Sequence, residues 1–318
     1  MAQSWHSVVD GELSAVDSLL RSEVRSAYPE LNRMCEMTLT ARYHEIRPAL
    51  CLLSYFANGG KDSKRAVAIA ACLETVFDGL HLHDTIGSDG KVRGEKKKLF
   101  SKEPSTTKVI VAGDFMYVIG FRQAYSGVPE LVPYLMRATD SIGDAIFRIV
   151  DRSHDTDVPE DECLEISQKK GAVEFQILME SAAKLAGATE EAVARMSECG
   201  CLLGMAIQIS YDVGDLLGYE GESKPRMESL LTGYPTVPLY HLMHDDSVGA
   251  KVKEAFSSTD LSIREASAIV SSIKESKAIL RCREMIDDYV RRAVEVINSL
   301  PDSEYKNALL KFSENASP

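Results

Sequence analysis

An all-α fold is the expectation for this 318-residue chain, and three observations carry it. Proline is spaced to leave long uninterrupted stretches: none lies between Pro48 and Pro104, between Pro159 and Pro225, or between Pro238 and Pro301. Interior proline costs a helix ~3 kcal/mol, so these gaps leave room for long helices. The gaps are filled with Ala, Leu, Glu, Lys, Met and Ile, and their apolar residues recur at helical rather than alternating intervals. No run of period-two strand residues is flanked by hairpin turns.

Taken in order, Ala66 to His83 is almost uniformly apolar and is predicted to be a buried helix. Gly87 to Thr107 is polar, carries Lys96-Lys97-Lys98 and reads as a loop. Arg152 to Asp161 reads as a second loop and Gly218 to Pro238 as a third. Between the last two, Leu202, Met205, Ile209, Val213 and Leu216 form one apolar stripe at 100° per residue. The last helical stretch is predicted from Ser303 to Phe312. No repeat of 20–50 residues and no low-complexity tract interrupts this pattern. The prediction is a single domain over residues 1–318, a bundle of ten or more helices.

The net charge of −12 argues against broad binding to nucleic acid or anionic membranes, which need a positive field. It leaves room for a local basic pocket that takes a small phosphate ligand. Met1 to Asp10 shows no basic segment followed by an apolar core, and no apolar run approaches roughly 18 residues. Neither a signal peptide nor a membrane span is therefore expected. The seven cysteines are odd in number and scattered through apolar sequence, as free buried thiols in the cytoplasm would be. Cys199 and Cys201 lack zinc-site spacing and a partner pair.

The residues with most chemical content lie at Gln208 to Asp215. On a helix Gln208, Asp212 and Asp215 fall within about 60° of one another, away from the apolar stripe. Two carboxylates and an amide oxygen are hard donors suited to Mg²⁺. Spacing alone leaves a second reading open, the solvated face of an amphipathic helix. Upstream, Asp84 and Ser88 share a face, while Asp84 and Asp89 diverge by about 140° unless the helix ends there. Asp78 and His81 are spaced to pair with each other on the same helix.

Several segments in order resemble the trans-type polyprenyl diphosphate synthases. They are Ile46-Arg47-Pro48, Leu80 to Asp84, Arg93-Gly94, Val111 to Asp114, Lys169 to Ala172, and Gln208-Ile209 with Asp212 and Asp215. Lys224-Pro225, Gly233, Thr236 to Pro238 and Leu300 to Ser303 complete the set, which covers roughly residues 40 to 312. The resemblance implies an isoprenoid-synthase-like helical bundle around a central cavity, usually dimeric. It implies two Asp-rich motifs that face each other and hold Mg²⁺ on an allylic diphosphate, here Asp84, Asp89, Asp212 and Asp215. Metals would neutralise the leaving diphosphate while an apolar cavity shields the carbocation. Lys170 and Gln208 take the catalytic positions, and His44, Arg47, Arg93, Lys170 and Lys224 the diphosphate-binding ones.

The chain also departs from that pattern. Thr85 and Ser88 stand where the first motif has Asp, and Tyr211 stands at the first Asp of the second. His44 replaces a lysine and Phe77 a histidine, Gly171 follows Lys170 in place of threonine, and Tyr234 replaces a lysine. The resemblance with these losses predicts an atypical homologue of low or no activity, a homodimer or a heteromer with a catalytically complete synthase. The alternative is an active Mg²⁺-dependent prenyltransferase working through a reduced metal site. Gly79 and Leu80 precede the first motif where the family places bulky plugs, and give no carbon count.

Overall fold

The protein is described here from a computed structural model, which covers residues 5–39, 45–87, 90, 92, 105–218 and 225–316. Among these residues the fold is helical. The one extended feature is an isolated antiparallel bridge between Ile86 and Val92.

The chain divides into two compact units. The first takes residues 1–138, 174–200 and 296–312. It contains α1 (Asp10–Glu23), α2 (Pro29–Thr38), α3 (Ile46–Ala57), α4 (Ser63–His83) and α5 (Thr106–Gly127). It also holds the start of α6 (Val132–Asp151), nearly all of α8 (Val173–Leu185), the start of α9 (Glu190–Leu217), and most of α15 (Glu304–Ala316).

In this unit α4 is buried along most of its length, from Ala66 through Gly79. It begins three residues before the predicted start because the Asp62 side chain accepts the Arg65 N–H and caps it. Its partner is α5, and glycine sets their separation. A Cβ on Gly79 would lie 2.9 Å from the Gly113 carbonyl oxygen, and one on Gly120 would lie 2.4 Å from a Val76 methyl. The two backbones therefore approach where side chains are missing. This packing also explains Gly79, which precedes the first motif.

The second unit takes residues 139–173 and 201–295, with 313–318. It contains the rest of α6, α7 (Glu160–Ser167), a π-helical turn at Gln168–Ala172, and the rest of α9. There follow α10 (Glu228–Thr232), α11 (Val237–Met243), α12 (Gly249–Ser257), α13 (Ile263–Ile273) and most of α14 (Lys277–Asn298). The stripe predicted on α9 is buried at Leu202, Met205, Ile209 and Leu216, with Val213 packed beside it. Inside the predicted loop from Gly218 to Pro238 the structure places α10 and the start of α11. Both are too short to show a period in sequence.

Two helices, Ser63–His83 and Glu190–Leu217, are long and apolar enough to cross a membrane by length and composition, although no unbroken apolar run reaches that length. Most of each is buried inside the protein, which accounts for the apolar composition without a bilayer. All seven cysteines are free thiols.

Candidate functional site

In the first unit the site is built around Arg47, at the start of α3. Its Nε and Nη2 donate to the two oxygens of Glu74, at 2.8 and 2.9 Å. Nη2 also donates to Asp78 at 2.8 Å. Nη1 donates to Glu174 at 3.2 Å and meets His81 Nδ1 at 3.1 Å. A guanidinium has five N–H bonds, and these five contacts use them all. Burial alone would lower the Arg47 pKa, but the charges of Glu74, Glu174 and Asp78 overcome this and hold it well above the ordinary value. Arg47 is 4% exposed, and its guanidinium carbon lies 6.0 Å from the centre of the buried Phe77 ring.

His81 closes the cluster on its solvent side. Its ring is 38% exposed, with Nε2 2.7 Å from Glu174 Oε1. With Nδ1 accepting from Arg47, Nε2 carries the proton that Glu174 receives. Asp78 and His81 thus meet through Arg47, which stands between them. Sequence placed Arg47 against a diphosphate; the structure places it against three carboxylates. Glu74 and Glu174 were not singled out from sequence. The signal for Glu74 is that it is the one charged residue from Ala66 to Phe77, and a buried charge needs a partner.

At the end of α4 the helix stops at His83, so Asp84 opens a turn and is exposed. Thr85 turns its hydroxyl back to the Leu82 carbonyl at 2.7 Å. His83 Nε2 lies 3.1 Å from the Ile110 carbonyl and 3.3 Å from the Asp114 carboxylate, over Gly113. His44, Asp89, Arg93 and Lys224 lie outside the described residues, as does Ser88.

In the second unit Gln208 Nε2 donates to Asp212 Oδ1 at 2.8 Å, so these two share a face as their spacing requires. The Gln208 amide lies over Gly171 in the π-helical turn, where a Cβ would fall 1.9 Å from its oxygen. Gly171 is therefore what admits this Gln208 conformation. Lys169 binds Asp144 and Glu165, while the charge of Lys170, half-buried as Lys169 is, reaches Asp212. Burial pushes the Asp212 pKa up to about 7, against the opposing pull of the Gln208 hydrogen bond and Lys170. Cys163 and Cys282 lie within electrostatic range of Asp212, and burial pushes both thiols up to about 12.

Asp215, expected to join Gln208 and Asp212, is turned to other work. Oδ1 accepts the Glu228 N–H at 2.9 Å. Oδ2 accepts the Ser229 N–H at 3.0 Å and the Ser229 hydroxyl at 2.6 Å. Tyr211 is half-buried.

A resident Mg²⁺ would need several oxygen donors converging on one point. Among the described residues no three His, Cys, Asp or Glu side chains are grouped to hold a metal ion. Asp215 accepts from the Glu228 and Ser229 N–H groups and the Ser229 hydroxyl, and Asp212 accepts from Gln208. The described residues do not by themselves assemble a complete donor set for the ion.

The sequence pattern of the polyprenyl synthetase family matches residues 28–273. Over 309 residues the chain is 27% identical to heptaprenyl diphosphate synthase component 2 of Geobacillus stearothermophilus, covering 96% of this chain and 95% of that protein. It is 23% identical over 314 residues to octaprenyl diphosphate synthase of Escherichia coli, covering 96% and 95%. Among solved structures, heptaprenyl diphosphate synthase from Staphylococcus aureus superposes with a TM-score of 0.84 at 21% identity, covering 97% and 98%. Polyprenyl synthase from Caulobacter crescentus, complexed with calcium and isoprenyl diphosphate, superposes with a TM-score of 0.87 at 20% identity, covering 98% and 96%. These superpositions establish the all-α isoprenyl synthase fold. With the family pattern matched over most of its length, the chain belongs to the polyprenyl synthetase family.

Proposed function

We propose that this protein is an atypical polyprenyl diphosphate synthase homologue of isoprenoid biosynthesis, low in activity or non-catalytic, that acts with a catalytically complete homologue. The observation that carries the reading is Arg47. All five of its N–H bonds are spent on Glu74, Asp78, Glu174 and His81, so no donor is left for a diphosphate. The altered motif positions Thr85, Ser88 and Tyr211 point the same way. Two relatives, from Geobacillus stearothermophilus and Bacillus subtilis, carry the name component 2 of heptaprenyl diphosphate synthase, which favours a multi-component arrangement here.

A partner surface is available on α5. Val111, Val118 and Tyr125 recur every seven residues and are exposed, Val118 by 64% and Tyr125 by 82%. In this reading a homodimer or heteromer forms there, and a prenyl diphosphate is held by His44, Arg93, Lys170 and Lys224. The protein works in the cytoplasm, in keeping with seven free thiols. It folds as one domain, in keeping with α6, α9 and α14 each supplying residues to both units.

Co-purification from the native host tests the reading. A complete synthase homologue is expected to come with the protein, and its rate or product length to change when the protein is added. Recovery of the homomer alone, with the partner's activity unchanged on addition, overturns it.

A second reading, an active prenyltransferase with a reduced metal site, is favoured by the Gln208–Asp212 hydrogen bond with the Lys170 charge beside it. Its metal donors would be Asp84, Asp89 and Asp212. Purified protein given Mg²⁺, an allylic diphosphate and isopentenyl diphosphate would then form product, and Asp212→Asn would reduce it steeply. No product rules this reading out.

A further inference from the structure

We infer that Asp215 is a latch of the fold, fastening the start of α10 to the end of α9, and not a metal ligand. The local path of the chain shows the need for it. After α9 ends, Gly218 takes a left-handed conformation with φ of 95° and returns its N–H to the Gly214 carbonyl at 2.8 Å. The described chain resumes at Pro225, close enough that a Cβ on Gly218 would lie 3.7 Å from its nitrogen. Met227 then sits at φ of 55°, a left-handed conformation that a non-glycine residue holds only when its surroundings impose it.

Asp215 supplies that constraint. Its backbone carbonyl accepts the Met227 N–H at 2.8 Å, and its carboxylate accepts the next two N–H groups along with the Ser229 hydroxyl. The first N–H groups of a helix have no partners within it. A capping side chain normally supplies them from the preceding residue, but Met227 has none to offer. Asp215 does this from a different helix. The apolar side of the same arrangement is filled by Leu216, Met227, Leu230, Leu239 and Phe256, all buried in one cluster.

These donors take three of the four lone-pair sites of the Asp215 carboxylate, so a metal ion could reach only the one remaining on Oδ1 without loosening α10. The disagreement with the family's metal role therefore lies in the geometry of this chain. The inference concerns the packing of α9 and α10, and it stands whichever reading of the function holds.

Amide hydrogen exchange of the full-length protein tests it, with Mn²⁺ titration followed by electron paramagnetic resonance in parallel. In Asp215→Asn the Glu228 and Ser229 amides are expected to exchange at least tenfold faster, with the α9 core unchanged. Ser229→Ala, which removes one hydroxyl and leaves the Asp215 carboxylate in place, is expected to speed them several-fold. Mn²⁺ affinity should stay within twofold of the wild type, and absence of Mn²⁺ binding in the wild type agrees equally. Unchanged exchange at both amides in Asp215→Asn overturns the inference, as does a tenfold or greater loss of Mn²⁺ affinity in that variant.

Discussion

Arg47 and Glu74 meet as two forks, Nε against Oε2 at 2.8 Å and Nη2 against Oε1 at 2.9 Å, with side chains 4% and 1% exposed. This is the strongest geometry available to such a pair, with two parallel charge-assisted bonds and no solvent to screen them. It is also asymmetric in its consequences, because either partner left alone is an uncompensated buried charge.

Removing the cation leaves the most negative charge behind. Arg47→Ala would strand Glu74, Asp78 and Glu174 together in the interior. A loss of about 3–5 kcal/mol is expected, read as a lower midpoint in urea unfolding. A loss under about 1 kcal/mol would mean the cluster is far more solvated than its burial indicates.

The crossing of α4 and α5 has no room for a methyl group. A Cβ on Gly113 would lie 2.4 Å from His83 Nε2 and 2.8 Å from the Gly79 carbonyl oxygen. The imidazole can move, but the backbone oxygen cannot. Gly113→Ala is expected to cost about 1–3 kcal/mol and to lower the thermal midpoint, although alanine is the better helix former.

Asp212 makes a pH prediction with a definite sign. Its folded pKa is raised from 3.8 to about 7 by burial. Between those values the folded protein holds a proton that the unfolded chain has released, so this group makes stability fall as pH rises from 4 to 7. Above pH 7 the cost is complete and flat, on the order of 4 kcal/mol as an upper limit. Carboxylates held low, such as Asp245 with its Ser247 partner, act in the opposite sense. The difference between wild type and Asp212→Asn isolates the effect. The variant should gain relative stability from pH 4 to 7 in urea unfolding, and a difference independent of pH would refute the assignment.

The α5 stripe predicts association. Val118→Asp places a charge at its centre without touching the core, since Val118 is largely exposed. Sedimentation should show weaker self-association or weaker capture of a complete synthase homologue, with the thermal midpoint of the isolated chain nearly unchanged. Association indifferent to this change would move the interface elsewhere.

What the sequence made legible follows the range over which each signal acts. The α4 helix and the shared face of Gln208 and Asp212 are local, set by composition and a 100° step, and both are present. The start of α4 was missed by three residues because Asp62 caps it through one side-chain bond. The α10 helix is five residues long, and its first N–H groups are satisfied by Asp215 from outside, so no periodicity announces it. Arg47 was the harder case. Its partner Glu174 is 127 residues away, and position within a motif cannot report that three carboxylates converge there. A lone Glu74 in an apolar run was the available clue.

The glycines between α4 and α5 have a mechanical consequence. Where Gly79 lies on Gly113 and Gly120 on Val76, the two helices meet with little side-chain slack between their backbones. Val111, Val118 and Tyr125 lie exposed along α5, and Asp84 follows the end of α4. In the proposed assembly, a partner docked on α5 would bear on a helix packed directly against the one that leads into the first motif. The absence of three side chains, at Gly79, Gly113 and Gly120, is what would couple the proposed docking face to that motif.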